Sequence, residues 1–220
     1  MSELEAGGAT GHQSAADSSM GLMVCRLALD PATGQLRHQA QVGMAIRGAL
    51  FLELILDGRL TGKKYPCAVG PSETDGRLAD SLHRAVAGRQ PLQWRRWFGH
   101  TKADTEAAVG RLVSGGVWRQ DGSRFAETDP GRLLGAHEHV SGLLAVHSGA
   151  APLEDVAVAL LSSGAGLAGS RPRPRAQLSR MREMMPLLPE ALAERELARA
   201  AVRASLVAIR RRAGARFLSG

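Results

Sequence analysis

From Val42 to Leu56 the chain is apolar almost all round: Val42, Met44, Ile46, Leu50, Phe51, Leu52, Leu54, Ile55 and Leu56 leave no polar face. A helix that is apolar on every side is buried on every side, so this pattern predicts the central helix of an all-helical core. At about 15 residues the run is too short to span a bilayer, and Arg47 and Glu53 lie inside it. Asp57-Gly58 supplies its stop.

The other elements are arranged around that helix. Met1 to Ser19 is rich in Gly, Ala and Ser without an apolar period and reads as a disordered tail. Met20 to Leu29 is a short apolar element, followed by a turn at Asp30-Pro31-Ala32-Thr33-Gly34. Thr61 to Asp75, with two Pro and two Gly, predicts a loop or short strands. Ser81 to Ala87 begins a helix. Leu92 to Gly99 carries Trp94, Trp97 and Phe98 at helical spacing. Thr101 to Val117 is an amphipathic helix with Ala108, Leu112 and Val113 on its apolar edge, stopped by Ser114-Gly115-Gly116. A hairpin is expected around Asp121-Gly122. Pro152 to Leu161 is a further helix, with Glu154 and Asp155 in its first turn. Ala176 to Leu188 and Glu190 to Arg212 are two more. In the last of these Arg195, Arg199 and Arg203 form an exposed basic stripe, opposite a docking face of Ala198, Val202, Leu206 and Ile209.

Composition fits this outline. Aromatics are only 4% of 220 residues, so the core must be built of Leu, Val, Ala and Met, which suits helices. One such core needs no second domain. The formal charge is +7, and Arg171 to Gly220 holds twelve Arg against four Glu, an excess larger than the whole net charge. That asymmetry points to a polyanionic partner, either nucleic acid or an anionic membrane surface. Two distant cysteines, Cys25 and Cys67, without metal or redox spacing, suit a reduced cytoplasmic protein. The acidic, polar N-terminus lacks a signal peptide's features. Any membrane contact is expected to be peripheral.

Chemistry-bearing motifs are few. His137, His139 and His147 lie within HEHVSGLLAVH but lack metalloprotease or tetrahedral zinc spacing, and read as surface histidines. With no nucleophile elbow, P-loop or dinucleotide fingerprint, the chain reads as a non-enzyme without a cofactor. Arg47 is the odd residue. Its guanidinium cannot be neutralised, so it must reach a carboxylate, water or an anionic ligand. An internal pair with Glu53 or another carboxylate, and an anion site, both remain open. A helix ending in LVSGGVW before a basic hairpin also admits a winged-helix-like nucleic-acid-binding protein as the alternative reading, although no convincing recognition helix accompanies it.

Three segments carry a resemblance: LDPATGQL at Leu29 to Leu36, IRGALFLELILDGRL at Ile46 to Leu60, and RLVSGGVW at Arg111 to Trp118. With the order of elements, they are similar to the Golgi phosphoprotein 3 family, specifically its bacterial members, from about Met20 to Ile209. The resemblance implies one domain over residues 20–220, mostly α, with a central helical bundle ringed by amphipathic helices and one projecting β-hairpin. It further implies a peripheral membrane protein that recognises phosphatidylinositol 4-phosphate. In eukaryotes the family also adapts glycosyltransferases for Golgi retention, so protein clients and self-association come with the resemblance.

The family's head-group pocket carries over residue by residue. Arg47 matches the arginine of the IRG turn. Lys102 and Thr105 fall where two helix arginines stand, and His38 falls where the family has Trp. Two of four positions therefore keep a cation, and Lys offers a point charge where a guanidinium would offer a bidentate fork. The hairpin tip, Arg119 to Arg124, is wholly polar and cannot insert into a bilayer, while Phe125 is expected to pack on the core. Docking through the basic surface would then be electrostatic, worth about 1 kcal/mol per basic residue near an anionic surface.

Overall fold

In the computed structural model, which describes residues 19–62, 64–71, 76–145, 152–167, 205–209 and 211, the chain opens with helix α1 (Met20–Leu27). A two-residue ladder follows, β1 (Leu29–Asp30) against β2 (Gln35–Leu36), and then the long helix α2 (Gln39–Leu56). Strands β3 (Leu60–Thr61) and β4 (Cys67–Ala68) pair antiparallel, ahead of α3 (Leu78–Ala87) and a 3-10 turn (Trp94–Phe98). Helix α4 (Lys102–Ser114), the hairpin β5 (Trp118–Asp121) and β6 (Arg124–Glu127), α5 (Pro130–Ala145) and α6 (Leu153–Gly164) complete the order. The fold is thus mostly α, with short two-stranded sheets.

Helix α2 sits at the centre and is packed by α1, α3, α4 and α6. Val42, Ile46, Leu50, Phe51, Leu54 and Ile55 are buried, as is nearly every other residue of the helix. Its 18 residues are long and apolar enough to cross a membrane by length and composition, and burial within the protein accounts for that apolarity. The helix ends at Asp57, and Gly58 takes a left-handed φ of 68°, the conformation that a C-terminal glycine supplies without strain. The aromatic segment forms a 3-10 turn and not an α-helix. Phe51 meets the Trp94 ring edge-on at 4.9 Å, and Trp97 and Phe98 stand at 6.0 Å. Such offset geometries add to simple burial.

The hairpin turns at Gly122-Ser123, with Asp121 opposite Arg124. Gln120 and the tip are exposed, whereas Phe125 lies 5.6 Å from the Trp118 ring and packs on the core. The hairpin is held at its side by the turn before β2: the Phe125 amide donates to the Gly34 carbonyl at 2.7 Å. Gly34 has φ 68°, and a Cβ there would lie 2.9 Å from the Phe125 carbonyl oxygen, so both conformation and space require glycine.

Two differences from the sequence pattern matter below. Helix α5 occupies a stretch where the pattern predicted no element, and α3 starts at Leu78, three residues before the expected Ser81. The expected tail before Ser19, the helices over 176–188 and 190–212 and the basic stripe of Arg195, Arg199 and Arg203 lie outside the described residues, apart from 205–209 and 211, where Ser205 and Ile209 are buried.

Glu53 is buried on a different face of α2 from Arg47, where it accepts hydrogen bonds from Ser19 Oγ at 2.8 Å and the Gly21 amide at 3.0 Å. Burial raises its pKa above the ordinary 4.5, outweighing those bonds and the Arg77 charge. An acid whose pKa is higher folded than unfolded binds more protons in the native state, so stability falls as pH rises through that interval. The contribution of Glu53 to stability is therefore expected to fall as pH rises above 4.5, so the difference in stability between wild type and Glu53→Gln should change across that range in urea melts. A difference that stays constant with pH places the titration elsewhere.

Candidate functional site

Arg47 projects from α2 toward α4. Its Nε donates to Asp104 Oδ2 at 2.5 Å, and its Nη1 donates to the Trp97 carbonyl. The internal carboxylate is therefore Asp104, not Glu53. Six residues along a helix advance about 9 Å and turn about 240°, so Arg47 and Glu53 cannot meet on one face. Both members of the Arg47–Asp104 pair are nearly buried, with side-chain exposures of 12% and 10%. Burial pushes the Asp104 carboxyl above its ordinary value, and the hydrogen bond and charge of Arg47 offset this only in part. Gly43 permits the arrangement. A Cβ there would come within 2.6 Å of Thr101 Oγ1, so only glycine lets the start of α4 approach α2 this closely.

A cleft of about 1090 Å³ opens beside this pair, between the first turns of α2, the start of α4 and the flank of the hairpin. Lys102 and Thr105 line it, together with Met44, Thr101, Gln120 and Phe125. Lys102 is the first residue of α4 and is almost fully exposed, with Nζ 3.4 Å from Glu106 one turn on. Thr105 is buried, and its hydroxyl donates to the Thr101 carbonyl at 3.4 Å, so its proton is already used within the helix. The start of α4 adds backbone N–H groups and the positive end of the helix dipole, which favour an anion.

The four pocket positions implied by the resemblance do not all converge. Lys102 and Thr105 share the cleft, and Arg47 is one hydrogen bond away through Asp104 in the same helical turn. His38 stands apart. It precedes α2 in the left-handed region, with φ 48°, and its ring lies against Gly166 after α6. Among the charged residues described on α4, Lys102 and Arg111 are matched by Asp104 and Glu106, so this helix presents no basic face to a nucleic-acid groove. His139 is exposed and stands 3.0 Å from Asp155, while His147 lies outside the described residues.

A second buried charge cluster, which the sequence pattern barely announces, lies at the foot of the hairpin. Arg26 of α1 donates through Nη2 to Glu127 Oε1, and Trp118 Nε1 donates to Glu127 Oε2 at 2.6 Å. Arg26 and Glu127 are 101 residues apart, and Arg26 breaks the apolar run of α1, which was its one visible signal.

Residues 24–209 match the model of the family described as Golgi phosphoprotein 3 (GPP34), over most of the chain. No curated protein matches it.

Proposed function

The chain belongs to the Golgi phosphoprotein 3 family, and we propose that it is a cytoplasmic, peripherally membrane-associating protein that binds the phosphorylated head group of an anionic lipid, phosphatidylinositol 4-phosphate in particular. It acts as a binding protein and not as an enzyme. The observation that carries this reading is the cleft at the start of α4, lined by Lys102 and the first turn of that helix; the Arg47–Asp104 pair lies behind this lining and not in it.

Asp104 changes what the cleft can do. A head-group phosphate must either compete with this carboxylate for Arg47 or rest on Lys102 and the first-turn amides. Both routes favour modest affinity, because one Lys near an anionic surface contributes about 1 kcal/mol. Excess basic charge toward the C-terminus adds attraction that salt screens.

Liposome co-sedimentation tests the reading, with phosphatidylinositol 4-phosphate and phosphatidylglycerol vesicles at matched charge and varied salt. The wild type is expected to prefer the phosphoinositide, and Lys102→Ala to bind it roughly fivefold less well, the equivalent of about 1 kcal/mol. Equal binding to both lipids removes the head-group reading. Salt-dependent retention on DNA without retention on vesicles would favour the winged-helix-like alternative.

A further inference from the structure

A second cavity, of about 460 Å³, lies at the other end of α4, where α1, the Gly115-Gly116 turn, the foot of the hairpin and the first turn of α5 meet. Three arginines from three helices line it: Arg26, Arg111 and Arg132. Glu127 and Asp129 line it too, Glu127 with both oxygens engaged and Asp129 with one. Glu127 receives Arg26 and Trp118, and Asp129 Oδ1 accepts from the amides of Gly131 and Arg132 at the start of α5.

Arg26 is the unusual member. A guanidinium carries five N–H donors, and buried donors are almost always paired. This side chain is only 8% exposed, its acceptor among the described residues is Glu127, and its Nε is buried without one. A carboxylate with both oxygens committed has little left to offer the rest of the fork. Arg111 gives one N–H to the Gly76 carbonyl and is otherwise exposed at the cavity. Three guanidiniums thus stand against two carboxylates, one of them with both oxygens committed, which leaves the cavity an excess of positive charge.

We propose that this cavity is a second anion site, which takes the phosphate monoester group of a small organic molecule. Guanidinium forks match phosphate oxygens bidentately, and arginines from three separate helices line the space the group would occupy. The volume exceeds what a bare ion fills and falls in the range of small-molecule sites, about 300–1000 Å³. Leu22, Leu112 and Val117 give the carbon portion an apolar wall. The site shares no lining residue with the Lys102 cleft, so it stands whether or not the lipid reading does.

The probe is glycerol 3-phosphate, titrated calorimetrically into the full chain at constant ionic strength, with glycerol as control. Saturable binding at one equivalent is expected, weakened at least tenfold in Arg111→Gln/Arg132→Gln. Both positions are exposed, so that variant keeps the Arg26–Glu127 pair. Arg119→Gln/Arg124→Gln on the hairpin removes the same charge and should leave binding unchanged. Sedimentation with phosphatidic acid vesicles then separates sources. Vesicle binding that needs Arg111 and Arg132 assigns the ester to a lipid, and its absence assigns it to a soluble molecule. No saturable binding of the soluble ester, or equal loss in both double variants, overturns the proposal.

Discussion

Glu127→Ala is expected to cost about 3–5 kcal/mol of folding stability, because it removes one partner of a buried ion pair and leaves the other behind. Arg26 would keep its charge without the carboxylate that now pairs it, and Trp118, buried at the base of the hairpin, would lose the acceptor of its indole N–H. A guanidinium cannot escape by deprotonating, so the cost stays in the folded state. The damage would be shared by α1, the hairpin and the start of α5, which meet at this cluster. Replacing both partners, as in Arg26→Met/Glu127→Leu, should recover most of the loss, since a well-packed apolar pair often equals a buried ion pair. Urea melts of the two variants provide the comparison. A deficit under about 1 kcal/mol for Glu127→Ala would mean the cluster is hydrated and behaves as a surface pair.

What the sequence made visible follows from how local each signal is. The central helix was legible because its apolarity needs no partner to be recognised, and its stop at Asp57-Gly58 is a local backbone preference. The hairpin was legible for the same reason, through Asp121-Gly122. Helix α5 was not. Gly131, Gly135 and Gly142 dilute it, and among its described residues Leu133 and Val140 are buried while Leu134 is exposed, so the apolar stripe is thin. Its start signal was nevertheless present: Asp129 accepts from first-turn amides, and Pro130 stands at the first helical position. The Trp-rich segment showed helical spacing over too few residues to tell a 3-10 turn from an α-helix.

The candidate site divides along the same line. That Arg47 needs an anion was readable from its apolar surroundings, but which anion depends on packing across 57 residues. Asp104 looked like one of several charges on an amphipathic helix until Gly43 was seen to let that helix close on α2. His38 shows the opposite case. Its position in the chain suggested a pocket residue, yet the left-handed turn before α2 places its ring by Gly166.

Arg47→Ala is expected to destabilise the fold by about 3–5 kcal/mol, by stranding Asp104 in the interior and depriving the Trp97 carbonyl of a donor. Here, unlike at Arg26, the stranded partner can discharge itself. Burial already holds the Asp104 carboxyl above its ordinary value, and losing Arg47 removes the influences that lower it. An acid with a raised folded pKa favours the native state as pH falls, so the deficit of Arg47→Ala should shrink on acidification. A deficit independent of pH would show that Asp104 is not the stranded group. The single variant therefore confounds stability with binding, and Arg47→Met/Asp104→Leu separates them. That double variant should fold with near-wild-type stability, since neither charge is left unpaired. If it loses the preference for phosphatidylinositol 4-phosphate vesicles, the guanidinium leaves Asp104 to meet the head group. If it keeps the preference, Arg47 serves only to anchor α4, and the phosphate is held by Lys102 and the helix N-terminus.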